Sequence, residues 1–178
     1  MFRSDRLLLR EFSDEDFQAV HAYASDPDIV RFMTWGPNSE AETREFLKCA
    51  KTHAEANPRL QFGLAVVRHA SGDLIGSIGL HVDGSNAMLG FCYARSAWGQ
   101  GYATEAAQIL LDFGFGSLGL HRIWADCDSE NAVSVRVLQK LGMRQEGHLR
   151  GDCKIRGEWR DTLIFAILDN EWRITAEG

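Results

Sequence analysis

The chain has 178 residues, 45% of them hydrophobic and 25% charged, with a formal net charge of −6. This is the composition of a soluble globular protein forming one domain, 1–178, and the acidic balance argues against gripping a nucleic-acid backbone, which needs a basic face. No stretch approaches the roughly 20 apolar residues of a membrane helix, and residues 1–6 lack the apolar run of a signal peptide.

The four cysteines (Cys49, Cys92, Cys127 and Cys153) are dispersed without a C-x-x-C pair, which indicates neither a metal site nor a disulfide framework. Free thiols suit a reducing compartment, so the cytoplasm is the expected location. In chain order, Arg6-Leu7-Leu8-Leu9-Arg10 reads as a short strand. Ser13 then caps a helix whose first turn is acidic, with Phe17, Val20 and Ala24 on one face, and Asp26-Pro27-Asp28 ends it. Residues 29–37 are irregular and apolar, with Phe32, Met33 and Trp35; they form either a loop packed over the core or the wall of an acceptor pocket. Ser39-Glu40-Ala41-Glu42 is a capping box opening a helix that runs to about Asn57-Pro58.

Three strands follow, Gln61–Arg68, Leu74–His81 and Ala87–Ala94, separated by Ser71-Gly72-Asp73 and Asp83-Gly84-Ser85-Asn86 as in an antiparallel meander. Next come a glycine-containing turn and a helix from Ala103 to about Phe115. The strand Arg122–Cys127, parallel to the pre-turn strand, leads into a helix over Ala132–Leu141 with Val133, Val137, Leu138 and Leu141 on its apolar face. Met143–Arg150 and Arg160–Leu168 are the last strands, around a polar loop containing Gly157, and a short tail carries Trp172.

Trp98-Gly99-Gln100-Gly101-Tyr102-Ala103-Thr104 is the stretch richest in chemistry. Glycines at a strand-to-helix turn let the backbone approach a ligand, and the unpaired first-turn amides with the positive helix end bind phosphate. A tight turn without a ligand would have the same local sequence. As a dinucleotide fingerprint G-x-G-x-x-G the stretch fails at Thr104, and an antiparallel meander upstream does not suit the parallel sheet of a nicotinamide dehydrogenase.

The order of elements, and several motifs along it, resemble the GNAT superfamily of N-acetyltransferases. Arg6-Leu7-x-Leu9-Arg10, Trp98-Gly99-x-Gly101-Tyr102-Ala103-Thr104-Glu105-Ala106, Asn131-x-x-Ser134 with Val137-Leu138-x-x-Leu141-Gly142-Met143, and Gly157-Glu158-Trp159-Arg160-Asp161 are similar to the RimJ/RimL-type branch. The resemblance implies an α+β fold with a mostly antiparallel sheet of about seven strands, splayed in the middle and flanked by about four helices. It implies acetyl-CoA as co-substrate, no metal, and a primary amine as acceptor, on a peptide N-terminus or a small molecule; it is compatible with a homodimer. Backbone groups of Phe91, Cys92 and Tyr93 would bind the pantetheine arm, amides of Gly99, Gln100, Gly101, Tyr102, Ala103 and Thr104 the diphosphate, and the Asn131 side chain the adjoining groove. A strand N–H near Cys92 would polarise the thioester carbonyl.

An amine attacks a thioester only as the free base, which calls for a positioned proton acceptor, and the departing thiolate gains from a donor. The resemblance assigns these roles to Asp126, on the strand face shared with Trp124, and to Ser134. Asp126 could equally be a solvated strand-end aspartate, and Ser134 a helix serine bonded to backbone. Leu138 stands where other Rim-type members have a catalytic tyrosine, and Cys153, beside Asp152, where they have a glutamate. His81 and His121 are alternative proton relays. Cys92 and Cys153 lack a recognisable base partner for nucleophilic chemistry. The missing tyrosine and glutamate keep a non-catalytic acyl-CoA-binding module as the alternative function.

Overall fold

The computed structural model describes residues 1–176, with side chains through Trp172. Eight strands form one sheet in the order β1-β2-β3-β4-β5-β6-β8-β7. They are β1 (Phe2–Arg3), β2 (Leu7–Arg10), β3 (Gln61–Arg68), β4 (Leu74–Asp83), β5 (Asn86–Tyr93), β6 (Arg122–Asp128), β7 (Arg144–Ile155) and β8 (Glu158–Leu168). The helices are α1 (Phe17–Ala24), α2 (Glu40–Glu55), α3 (Tyr102–Asp112), α4 (Ala132–Lys140) and α5 (Asp169–Ala176). Among the described residues, only the β5–β6 pairing is parallel.

Strand alternation divides the side chains between two faces. Leu64, Ile78, Leu89, Ile123 and Phe165 pack on one face with Ala106, Leu110, Leu138 and Trp172. Ala65, Val67 and Cys92 pack on the other with Phe17, Val20, Tyr23 and Leu47. The α1–α2 layer is joined to the sheet by a charged group as well. Asp16, 6% exposed, accepts from both Arg10 Nη atoms at 2.7 Å and from the Ser13 amide at 2.8 Å. Burial alone would raise the Asp16 pKa, but these donors outweigh it and hold the carboxyl below its usual value.

Three sequence expectations are corrected. The polar stretch Gly151–Trp159 is not a loop: β7 and β8 continue through it to a turn at Arg156-Gly157, with a register break between Leu149 and Cys153. Its residues are mostly exposed, so it lacks the inside–outside alternation that marks a strand. Val133 is 55% exposed, and the buried stripe of α4 is Leu138, with Leu141 just beyond its end. The tail is helix α5, docked by a bond from Trp172 Nε1 to Asp112 Oδ1 (2.8 Å).

Candidate functional site

The β5–β6 pairing covers only Asn86–Arg122, Ala87–Ile123 and Met88–Trp124. Beyond that the two strands part, although β5 stays registered on β4 to Tyr93 and β6 stays on β8 to Asp128. A gap therefore opens in mid-sheet toward the C-terminal ends of both strands. The Ala94 amide bonds the Ile75 carbonyl (2.9 Å), and antiparallel alternation then sets which groups face the gap. Gly90 and Cys92 direct their backbone groups to β4, while Leu89, Phe91 and Tyr93 direct theirs to the gap. This reassigns Cys92 among the residues expected to offer backbone groups and leaves Phe91 and Tyr93 as its amide donors. Trp98 Nε1 bonds the Tyr93 carbonyl at 2.9 Å, which caps the upper end of this edge.

The turn after β5 is shaped by glycine. Gly99 has φ +73° and Gly101 has φ +80°, values that side chains rarely adopt. A Cβ on Gly99 would meet nothing within 4 Å, and one on Gly101 only the Arg6 guanidinium at 3.6 Å, so no other protein atom crowds the backbone at those two positions. Gly101 is the N-cap of α3, and the Glu105 amide makes the first helical bond, to the Gly101 carbonyl. The amides before it in that turn are the unpaired donors of a helix start, with the positive helix end behind them. The turn is strapped to the sheet edge by Arg6, which donates through Nη1 to the Gln100 carbonyl (3.0 Å) and through Nε to Glu105 (2.7 Å). Ser4 Oγ also donates to Glu105 (2.6 Å), and the Arg6 guanidinium lies over the Tyr102 ring. This strap joins residues about 100 positions apart, so no local sequence signal points to it.

Asp126 and Ser134 stand on opposite sides of β6. Ile123 and Ala125 pack into the core shared with α4, so Asp126 projects to the α1–α2 side with Trp124. Asp126 keeps exposed surface, yet desolvation by surrounding protein raises its pKa, and the charge of Asp152 adds to the effect. Ser134 lies in the first turn of α4, where its amide donates to Asn131 Oδ1 (3.1 Å). Asn131 is thus the N-cap of α4, its side-chain oxygen held by the Ser134 amide.

The remaining residues singled out from sequence fall elsewhere. Leu138 is 1% exposed in the core. His81 is near a groove of about 480 Å³, also lined by Met88, Arg122 and Trp124, at the paired end of β5 and β6. Burial, helped by His53, lowers the His81 pKa. His121 begins the turn into β6 and contacts Asp169 (3.2 Å). Burial pushes the Cys92 thiol up to about 12, which keeps it protonated and unsuited to attack. Cys153 is 3.9 Å from Thr162 Oγ1. No group of three or more potential metal ligands occurs among the described residues.

Between the loop after α1 and the β7–β8 hairpin, a cavity of about 270 Å³ is lined by Arg31, Phe32, Ile155, Arg156, Glu158 and Arg160. Arg160 is fixed by Asp128 (2.8 and 3.0 Å) and Glu130 (2.7 Å), which ties β8 to the end of β6.

A family model described as an acetyltransferase (GNAT) domain matches residues 6–144. The chain is 36% identical over 170 residues to the uncharacterized N-acetyltransferase YnaD of Bacillus subtilis, covering 94% of this chain and 96% of that protein. The structure of a GNAT-family acetyltransferase from Bacillus anthracis superposes with a TM-score of 0.85 at 34% identity, covering 95% and 98% of the two chains. That of spermidine N-acetyltransferase from Vibrio cholerae, in complex with CoA and spermine, superposes with a TM-score of 0.83 at 22% identity, covering 96% and 99%, a likeness of fold.

Proposed function

The chain belongs to the GNAT acetyltransferases, a family dependent on acetyl-CoA, and from that premise we propose how its residues divide the work of moving an acetyl group to a primary amine. The observation that carries the proposal is the gap opening beyond Met88 and Trp124 beside the Gly99–Gly101 turn. The amides of Gly99 through Thr104 hold the diphosphate. The gap-facing edge of β5 at Phe91 and Tyr93 pairs with the amide groups of the pantetheine arm, as a strand edge pairs with an added strand. Asn131 Nδ2 reaches the same groove. Acetyl-CoA supplies the acetyl thioester.

The amine approaches from the α1–α2 side. Asp126, directly or through a water, takes its proton, because only the unprotonated amine attacks. Its raised pKa makes it a better proton acceptor than an ordinary aspartate. A β5 amide, Phe91 or Tyr93, donates to the thioester carbonyl oxygen as charge builds there. Ser134, on the other side of β6, passes a proton to the sulfur as it leaves and regains one from water, while Asp126 releases to solvent the proton it took. Base and acid therefore need not touch each other.

The acceptor is a peptide N-terminus or a small-molecule amine. The motifs from Arg6-Leu7 to Gly157-Glu158 support the RimJ/RimL-type branch, and the likeness to a polyamine acetyltransferase supports a small amine. One continuous sheet supports a single domain over 1–178, the free cysteines support a cytoplasmic location, and a homodimer is compatible with the family. The buried Leu138 and the Cys153 position favour, as the second reading, a non-catalytic acyl-CoA-binding module.

The deciding experiment is release of free CoA thiol from acetyl-CoA with spermidine, an alanine-led peptide, free amino acids and an aminoglycoside. Turnover with one class names the acceptor. CoA binding by calorimetry without turnover on any of them moves the assignment to the binding module.

A further inference from the structure

The β7–β8 hairpin ends in Arg156-Gly157, with φ +48° and +93°. Both central residues are left-handed, a turn that favours Asn-Gly, so an arginine in the first place is uncommon. Its side chain reaches across to the loop between α1 and α2. Nη2 donates to the carbonyls of Val30 (3.0 Å), Gly36 (3.0 Å) and Trp35 (3.4 Å), and Nη1 to those of Arg31 (3.2 Å) and Met33 (3.4 Å). Five carbonyl oxygens converging from one curled segment repel one another unless a donor-rich cation sits among them. A guanidinium meets that need with the four N–H of its two Nη groups, at least one of them shared between two carbonyls, whereas a lysine has three donors on a point charge. The same segment is tied on its other flank by Arg95 of the post-β5 turn, to Asp28 (2.9 Å) and Asp26 (3.4 Å).

We propose that Arg156 is a positioning residue: it holds residues 30–36 in the shape that forms the acceptor-side wall, and so sets the affinity for the amine through that loop. The role in acceptor binding rests on the transferase reading; the role in holding the loop does not.

The test uses Arg156→Asn, which restores the preferred turn residue while removing the guanidinium, and Arg156→Lys as the conservative variant. Hydrogen–deuterium exchange should rise about tenfold or more across residues 30–36 in Arg156→Asn, with the Gly99–Thr104 turn unchanged. In the thiol-release assay, KM for spermidine or the best amine of the panel should rise about tenfold while KM for acetyl-CoA and kcat hold, with Arg156→Lys between the two. Unchanged exchange over 30–36 overturns the proposal whatever the activity. Faster exchange with an unchanged amine KM overturns the acceptor role. If the wild type acetylates none of the panel, the transferase reading fails, and exchange alone decides whether Arg156 holds the loop.

Discussion

The proposed cofactor side and the proposed acceptor side are made differently. On the cofactor wall, β5 and its following turn present main-chain amides, fixed from behind by Leu89, Ala106 and Leu110, which are nearly or fully buried. On the proposed acceptor side, the 26–37 loop and the β7–β8 hairpin are held by arginines: Arg95 on Asp26 and Asp28, Arg156 on five carbonyls, Arg160 on Asp128 and Glu130. A wall of backbone accepts side-chain changes that spare its glycines. A wall held by side chains is retuned one residue at a time, which suits a family that keeps one donor and varies its acceptors.

That contrast is sharpest at Asp126. Asp126→Asn should lower kcat by about 100-fold or more while KM for acetyl-CoA stays level. The carboxylate must be ionised to accept a proton, and its pKa is raised by desolvation and Asp152. In the wild type kcat/KM should therefore fall on the acid side at a higher pH than an ordinary aspartate would give, and the variant should lose that limb. Because folding disfavours the ionised form of a group whose pKa it raises, Asp126→Asn should also raise Tm at pH 7. Equal kcat in wild type and variant would remove Asp126 as the base.

Gly101→Val attacks the other wall through its backbone. A β-branched residue at φ +80° is strained by roughly 1–3 kcal/mol, and the turn relaxes at the expense of its amide array. Calorimetry should show CoA affinity falling more than about tenfold, with kcat at saturation much less affected.

Asp16→Asn is the control beneath the acceptor wall. It breaks a charge-assisted pair whose Asp16 side chain is buried and whose Arg10 side chain is partly solvated, and should cost about 1.5–3 kcal/mol in denaturant unfolding. Its folded-state pKa is lowered, so the stabilisation is present above the normal aspartate range and is lost as pH falls through the folded value. Kinetic constants at pH 7 should not move. Trp98→Phe is the mildest change: it keeps the ring but removes the indole donor to the Tyr93 carbonyl. About 0.5–1.5 kcal/mol corresponds to roughly two- to tenfold weaker CoA binding.

Legibility from sequence followed the same division. Gln61–Arg68 was readable to the residue because buried and turn-flanked apolar runs have few alternatives, and the glycine turn because positive φ demands glycine. Residues 151–159 were not, since a strand wet on both faces has no period. Arg156 was hidden because its acceptors are carbonyls, which carry no side-chain identity, and lie about 120 positions away. The Arg-Gly dipeptide was the one available hint of a hairpin tip. Asn131 entered the sequence reading only through the resemblance, and its place before Ala132 was the available hint of the helix cap it forms.

With only three residue pairs between them, β5 and β6 behave like two leaves on a short spine. Whatever fills the opening supplies the missing rungs, so it binds the folded form and has nothing to bind in the unfolded one. Occupancy at a hundred times Kd would then add about 2.7 kcal/mol to stability. The durability of this protein in a cell would rise and fall with the local supply of its acyl donor.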